Sequence, residues 1–249
     1  MKKFIFTLLA LVGTMSMNAQ VMKPGMEIMK NGVVVATYTA DQADEVVFKE
    51  VPAPTTGTAE RTGGVSVNWV QLWENGPKFA EYNVGATSVT DYGGYYNWGM
   101  SEVQTKANYT NYQSGTDALS GETDTATNLW GSKWLMPTSA ELSDAEGGLL
   151  YECDCVWTEN YNGTGANGLL CTGKEGTAYE NNSVFLPAAG RCDSGDFFGQ
   201  GNFVFYWSST PNGSNNAYCL DFSSGVQDVY GDYRESGYSV RAVLNEVVE

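Results

Sequence analysis

Histidine is absent from this sequence of 249 residues, and basic residues are few. Without histidine, neither a Ser–His nor a Cys–His catalytic dyad can form. Only 13 Lys and Arg oppose 29 Asp and Glu, and the net charge of −16 argues against nucleic acid as a partner, since phosphates need cationic side chains. Beyond the amino terminus, no apolar run approaches the roughly 20 residues of a membrane-spanning helix. The sequence therefore predicts no membrane span and no nucleic-acid partner.

Signals for bound metals and cofactors are also missing. No run of the DxDxDG type supplies the clustered oxygen ligands of a calcium site. The closest cysteine pair, Cys153 and Cys155, is one residue too tight for the usual C-x2-C zinc knuckle. The glycines of residues 190–201 are not followed by the helix that completes a nucleotide-binding motif. We therefore expect no metal and no cofactor.

The first 20 residues, MKKFIFTLLALVGTMSMNAQ, have the composition of a secretory signal peptide. Two lysines precede an apolar run at residues 4–12, and small or polar residues follow up to Ala19. Cleavage is predicted after Ala19, so that residues 1–19 are the signal. We expect an exported protein, either secreted or associated with the cell envelope in the periplasm or on the outer surface.

The cysteines suit an exported compartment, in which disulfides form and persist. The candidates for pairing are Cys153, Cys155, Cys171, Cys192 and Cys219. Because five is an odd number, at least one thiol stays unpaired in a monomer. Spacing does not select the pairs, and structural thiols remain an alternative to disulfides.

Three segments follow the signal. Residues 20–50 are predicted to form a small β segment, because Asn31-Gly32 lies between two apolar strand-like runs and favours a tight hairpin turn. A third short strand is expected at residues 45–48. Residues 51–62 carry Pro, Thr and Gly without apolar periodicity, which indicates a linker. The main domain is expected at residues 63–245.

The main domain has the composition of a strand- and loop-rich α+β fold. Aromatic residues make up 13% of the chain, and many of them lie in short alternating runs typical of half-buried strands. Two short helices are predicted. The first spans residues 125–130 with Asp124 as its N-cap. The second begins at the capping box of Thr138 and Glu141 and ends near residue 145.

The stretch from residue 203 to residue 243 is the predicted binding region. Strands are expected at residues 203–207, 216–222 and 239–243, with loops at 208–217 and 223–238. Tyr offers contact area at low entropic cost, and Asn and Ser offer adaptable hydrogen bonds. The candidate binding residues in these loops are Asn215, Asn216, Tyr218, Asp228, Tyr230, Asp232 and Tyr233.

Several bulky residues are assigned to the scaffold instead. Trp69, Trp73 and Trp98 lie in or beside short aromatic strands, where such rings are usually buried. Trp207 and Arg241 belong to predicted core strands. Because apolar and polar residues alternate along residues 217–222, a core-facing Tyr218 is the alternative to a binding role for this residue.

A series of short motifs runs in consistent order along the main domain. They are YNVGA (82–86), YGGYYNWG (92–99), NLWGSKWLMPTSAEL (128–142), VFLPAAGR (184–191), YWSST (206–210), AYCLDF (217–222) and GYSVRAV (237–243). Together they resemble the Fibrobacter succinogenes major paralogous domain, which is common in exported proteins of gut Bacteroidetes. The resemblance implies a C-type-lectin-like fold, related to formylglycine-generating-enzyme domains and to the variable proteins of diversity-generating retroelements.

The resemblance implies no settled activity, because a fold does not determine a function. The Glu-Pro-Asn or Gln-Pro-Asp triplet of calcium-dependent lectins is absent, which argues against calcium-dependent sugar binding. Copper-dependent oxidation, as in formylglycine-generating domains, is also disfavoured, since Cys192 and Cys219 lie in different sequence surroundings. We interpret these two residues as a disulfide candidate.

Three functions remain open at this point. The first and favoured one is a non-enzymatic binding module whose C-terminal loops recognise an extracellular glycan or protein. In a sharper variant of this hypothesis, the amino-acid sequence of these loops is diversified. The second is a structural surface-assembly or pilus-tip subunit that assembles through the small β segment. The third is a carbohydrate-active enzyme, which needs two carboxylates facing one cleft. The pairs Asp228 with Asp232 and Glu122 with Asp124 are the candidates for it.

Overall fold

A computed structural model describes residues 25–30, 33–39, 53–223 and 227–246. The chain divides into two compact units, residues 1–53 and residues 54–249. In the described ranges, no helix combines the length and the apolar character needed to cross a membrane.

The described residues of the first unit form a β-hairpin. Strands β1 (Gly25–Lys30) and β2 (Val33–Thr39) pair in antiparallel fashion, with Gly25 opposite Thr39. This pairing confirms the predicted hairpin. The Asn31-Gly32 turn itself, the strand expected at residues 45–48 and the predicted signal at residues 1–19 lie outside the described residues.

The main unit is strand-rich with few short helices, consistent with the α+β class. Its strands are β3 (Thr56–Arg61), β4 (Val65–Gln71), β5 (Lys78–Ala80), β6 (Trp134–Leu135), β7 (Cys153–Thr158), β8 (Gly168–Gly173), β9 (Ser183–Pro187), β10 (Arg191–Asp193), β11 (Asp196–Phe198), β12 (Val204–Asn212), β13 (Asn216–Phe222), β14 (Gln227–Tyr233) and β15 (Val243–Leu244). They form a five-stranded sheet in the order β3-β4-β5-β15-β6, the three-stranded sheets β7-β8-β9 and β12-β13-β14, and the hairpin β10-β11.

The segment expected to be a linker, residues 51–62, contains strand β3, so this expectation is wrong for most of its length. Thr56–Arg61 pairs with β4 at the edge of the five-stranded sheet, and Ala59 lies opposite Val67. Its side chains alternate between exposed and half-buried, without the apolar residues that mark a central strand. The main unit accordingly begins at Pro54 and not near residue 63.

Both predicted helices are present, and a third was missed. Helix α1 (Thr125–Trp130) begins at the N-cap Asp124, whose side chain accepts the Thr127 N–H. Helix α2 (Ser139–Leu142) begins at the expected capping box. It ends at Leu142 instead of near residue 145, because Ser143 takes extended backbone angles. Helix α3 (Leu149–Glu152) is a single turn that follows a pair of glycines. Two 3-10 turns, Gly121–Thr123 and Tyr161–Gly163, complete the helical elements of the described ranges.

Among the described residues the core contains three hydrophobic clusters, and the β12-β13-β14 sheet lies between the two larger ones. Neighbouring residues of β13 alternate between the clusters, with Cys219 in the first and Leu220 in the second. The tryptophans Trp69, Trp73, Trp98 and Trp207 are buried, which confirms their assignment to the scaffold. The sheet is thus covered on both faces along β12 and β13, and its outer strand is β14.

Arg241 is fully buried and serves as a polar hub of this core. Its guanidinium donates to Asn83 Oδ1 at 2.9 Å and to the carbonyl oxygen of Phe185 at 2.9 Å. Asn83 in turn donates to the Tyr206 hydroxyl at 2.8 Å. Burial lowers the pKa of Arg241 to about 10. The predicted scaffold role of Arg241 is confirmed, since this network joins four separate segments of the chain.

The cysteines form one disulfide and three buried thiols. Cys155 and Cys171 face each other across β7 and β8 and are bonded. The disulfide candidate Cys192–Cys219 is wrong: both residues are free and buried, as is Cys153. Cys192 lies in the β10-β11 hairpin and Cys219 in the β12-β13-β14 sheet, so no strand pairing brings them opposite each other. The predicted odd number of free thiols is confirmed.

Candidate functional site

The region expected to provide binding loops is mostly sheet. Strand β12 continues to Asn212, and the expected loop at residues 223–238 contains the seven residues of β14. The bounds predicted for the two loops are therefore wrong, and only residues 213–215 form the turn between β12 and β13. The polar composition of this segment predicted a loop where β14 lies, because an edge strand can expose its side chains and still pair its backbone. The strand expected at residues 239–243 is reduced to β15, while Ser239 makes a single bridge to Tyr206.

The strand register divides the seven candidate residues between two faces of the sheet. Asp228, Tyr230 and Asp232 alternate along β14 and lie opposite Asp221, Cys219 and Ala217 of β13, respectively. Since directly paired residues share a face, these three candidates lie together. Asn216, Tyr218 and Tyr233 lie on the opposite face, where Asn216 pairs with Tyr233. Asn215 is in the turn. The candidates are thus not a single site.

Asp221 belongs to the first face, and the sequence reasoning missed it. It lies directly opposite Asp228, and its Oδ1 atom is buried without a hydrogen-bond partner among the described residues. Burial, followed by the nearby Asp232 and Asp228 carboxylates, raises the pKa of Asp221 to about 6. An acidic residue inside the otherwise apolar run AYCLDF is the signal that could have identified it. We name Asp221, Asp228, Tyr230 and Asp232 the carboxylate face.

The other two carboxylates of the carboxylate face are partly engaged. Asp232 accepts a short hydrogen bond from the hydroxyl of the buried Tyr238 and another from the Tyr233 N–H at 2.7 Å. Among the described residues, Asp228 accepts from the Val229 N–H alone, at 2.7 Å. No Lys or Arg makes an ion pair with any of these carboxylates in the part of the chain that the structure describes. The face therefore holds three acids without a direct countercharge.

Aromatic rings border the carboxylate face. Phe205, opposite Asp221 in the register, stacks between Phe203 and Tyr238 with ring centroids 5.7 and 5.1 Å away and planes inclined by 14° in both pairs. Phe203 is 41% exposed, so the stack extends from the buried Tyr238 to the surface. Tyr230 is half-buried against the first core cluster. The surface thus combines uncompensated negative charge with aromatic rings.

Arg234 fixes the turn at the end of the β12-β13 hairpin. It is fully buried, lies 4.1 Å from the Trp98 ring centroid and donates to four backbone carbonyls. These carbonyls belong to Gln113, Gly115, Gly213 and Asn216, at 2.8 to 3.0 Å. The Arg234 N–H also donates to the carbonyl of Asn215 at 3.1 Å. Arg234 therefore holds the hairpin turn and the loop near residue 113 together.

The acids proposed as catalytic pairs either serve the fold or lie far apart. Asp124 is buried and accepts the N–H groups of Thr127 and Met136, so its carboxylate is engaged in capping and turn structure. Asp228 and Asp232 are four residues apart on one strand, about 13 Å at the usual strand rise. Glycosidases hold their carboxyl groups roughly 5–9.5 Å apart. Within residues 53–223 and 227–246, no group of three or more His, Cys, Asp or Glu side chains is arranged to hold a metal ion.

No protein-family model, no curated protein and no solved structure matches the chain. The fold family and the function are therefore inferred from the motifs and from the geometry.

Proposed function

We propose that this protein is an exported, non-enzymatic recognition module that binds a cationic segment of an extracellular protein on the carboxylate face. The proposed fold is C-type-lectin-like, within the Fibrobacter succinogenes major paralogous domain family. The buried positions of the shared motifs support this assignment. Asn83 of YNVGA, Tyr206 of YWSST and Arg241 of GYSVRAV form one hydrogen-bonded core network. The signal peptide predicted at residues 1–19 supports secretion or an envelope location.

The observation that carries the binding proposal is the partly buried Asp221, whose Oδ1 atom has no partner in the described ranges. A carboxylate in this position, beside two further acids, opposes folding, because it is desolvated and repelled. Destabilising groups that lie together on a surface are characteristic of functional sites, where they satisfy a ligand instead of the fold.

Lysine and arginine side chains match this surface chemically. An ammonium or guanidinium group supplies the missing countercharge, and the Phe203 and Tyr230 rings can receive its aliphatic stem or its cation. The net charge of −16 adds long-range attraction for a basic partner. The unpaired carboxylates attract a cation more strongly than the hydroxyl groups of a neutral glycan, so a protein partner is favoured over a glycan at this face.

The test is selection of a displayed library of 12-residue peptides on residues 20–249, followed by affinity measurement. We expect the selected peptides to be enriched in Lys and Arg. The variant Asp221→Asn/Asp228→Asn should weaken the best peptide at least tenfold. The control variant Glu159→Gln/Glu175→Gln removes the same charge from exposed positions elsewhere and should change affinity less than twofold. Tyr233→Ala, on the opposite face and 63% exposed, should also retain binding.

An equal loss of peptide affinity in Asp221→Asn/Asp228→Asn and in the control Glu159→Gln/Glu175→Gln would show attraction by net charge alone. That result would refute the proposed face. Selected peptides without Lys or Arg would refute the proposed ligand class.

The assembly alternative is favoured by one observation, the β-hairpin that the described residues of the first unit form. A surface subunit would lose assembly when residues 20–50 are deleted, while peptide binding by the main unit persists. Loss of both on this deletion would argue against an assembly role confined to the β segment.

A further inference from the structure

A cleft of ≈ 520 Å³ separates strands β3 and β4 from the edge strand β9. Asn68 and Glu81 line one side, and Asn182 and Phe185 line the other, with Tyr161 of the second 3-10 turn beside them. The volume lies within the roughly 300–1,000 Å³ of small-ligand sites. The described lining contains no Lys or Arg. The strands that line this cleft belong to two sheets, neither of which carries the carboxylate face.

Three hydrogen-bond acceptors in the cleft are held in position without a donor. Asn68 Nδ2 donates to Glu81 Oε2 at 2.9 Å, and Asn182 Nδ2 donates to the carbonyl of Gln71 at 2.7 Å. These bonds orient both amides and one carboxylate oxygen. They leave Asn68 Oδ1, Asn182 Oδ1 and Glu81 Oε1 without partners among the described residues. The cleft therefore offers acceptors to a ligand that carries several donors.

Aromatic rings provide the apolar part of the cleft. The Tyr161 ring stacks on Phe185 with centroids 4.0 Å apart and planes inclined by 6°. The Trp69 indole lies against Gly57, where an added Cβ would come within 2.6 Å of Cζ2. The absence of a side chain at Gly57 thus lets the indole lie against the backbone of β3. Fixed acceptors and fixed rings occur together in one concave surface.

We infer that this cleft is a second binding site, for a neutral saccharide. Sugar hydroxyl groups donate to fixed acceptors, while the C–H faces of a pyranose ring pack on aromatic side chains. The absence of a cation from the described lining, together with the Glu81 carboxylate, disfavours phosphates and uronic acids. The inference goes beyond the proposed peptide-binding function and does not depend on it.

The test is isothermal titration of residues 20–249 with xylohexaose, cellohexaose, mannohexaose and maltohexaose, alongside trigalacturonic acid as the anionic arm. We expect at least one neutral oligosaccharide to bind and the galacturonate not to bind. Tyr161→Ala and Glu81→Gln should each weaken that affinity at least tenfold. Tyr233→Ala and Asp221→Asn/Asp228→Asn should leave it within twofold. Circular dichroism and the urea midpoint verify that every variant folds.

Failure of all four neutral oligosaccharides to bind would overturn the inference, as would preference for the galacturonate. Binding that survives both Tyr161→Ala and Glu81→Gln would also overturn it. If Glu81→Gln alone preserves the fold, that variant decides the result, because it keeps the side-chain size, removes the charge and replaces one carboxylate acceptor with an NH2 donor. Peptide binding that fails while saccharide binding persists would refute the carboxylate face and leave the cleft supported.

Discussion

Replacing Asp221 with asparagine should stabilise the protein at neutral pH. The pKa of Asp221 rises from 3.8 to about 6 on folding, chiefly through burial and then through Asp232 and Asp228. The folded state therefore holds this proton more tightly than the unfolded state. The stability that the protonated Asp221 carboxyl group contributes is fully present below its pKa in the unfolded state. This contribution is lost as the pH rises through its pKa in the folded state.

The magnitude follows from the size of the shift. A difference of that size corresponds to roughly 3 kcal/mol at 1.36 kcal/mol per pKa unit. Because the Asp221 side chain is only partly buried, solvent screening reduces this to about 1–2 kcal/mol. Asparagine has nearly the shape of the protonated acid and cannot ionise. The variant should therefore gain about 1–2 kcal/mol above about pH 7, or roughly 3–6 °C in Tm, and little near pH 4.

Urea denaturation followed by tryptophan fluorescence at half-unit steps from pH 4 to pH 8 measures this difference. The matched control is Asp154→Asn, an exposed acid on strand β7 that removes the same charge. We expect the control to show at most about 0.5 kcal/mol at any pH. A gain for Asp221→Asn that does not grow with pH, or that does not exceed the control, would refute the reasoning.

Three further predictions concern the scaffold. Arg234→Lys should cost about 2–4 kcal/mol in the free energy of unfolding, because an ammonium cannot reach four carbonyls in a planar fork; the half-exposed Arg191→Lys should cost under about 0.5 kcal/mol in the same urea titration. Thiol titration with Ellman's reagent should find three thiols in non-reducing denaturant and almost none in the native protein, and a count of one would show a second disulfide. Thr138→Ala should cost about 1 kcal/mol by removing the capping box of α2, and a neutral result would show that the cap is not needed.

Local signals predicted the elements that depend on local chemistry. The N-cap at Asp124 and the capping box at Thr138 placed the starts of α1 and α2, because each cap satisfies its own helix. Apolar alternation placed β13 in the same way. The buried tryptophans followed from the same alternation.

Strands β3 and β14 could not be predicted in this manner, because both are edges. Their residues gain stability from a backbone ladder with a partner strand, and their polar side chains carry little trace of it. The polar composition of the predicted binding region was therefore recognised from the sequence, while its strand structure was not. Which acids share a face depends on the register between β13 and β14, and that register placed Asp221 opposite Asp228.

The contacts of Arg234 have a consequence for how this protein can vary. Each of its bonds to Gln113, Gly213 and Asn216 ends on a carbonyl oxygen, a group that every amino acid possesses. The side chains at Gln113, Ser214 and Asn215 can therefore be exchanged without breaking the anchor. Related chains that keep the arginine can display different chemistry along the same backbone path.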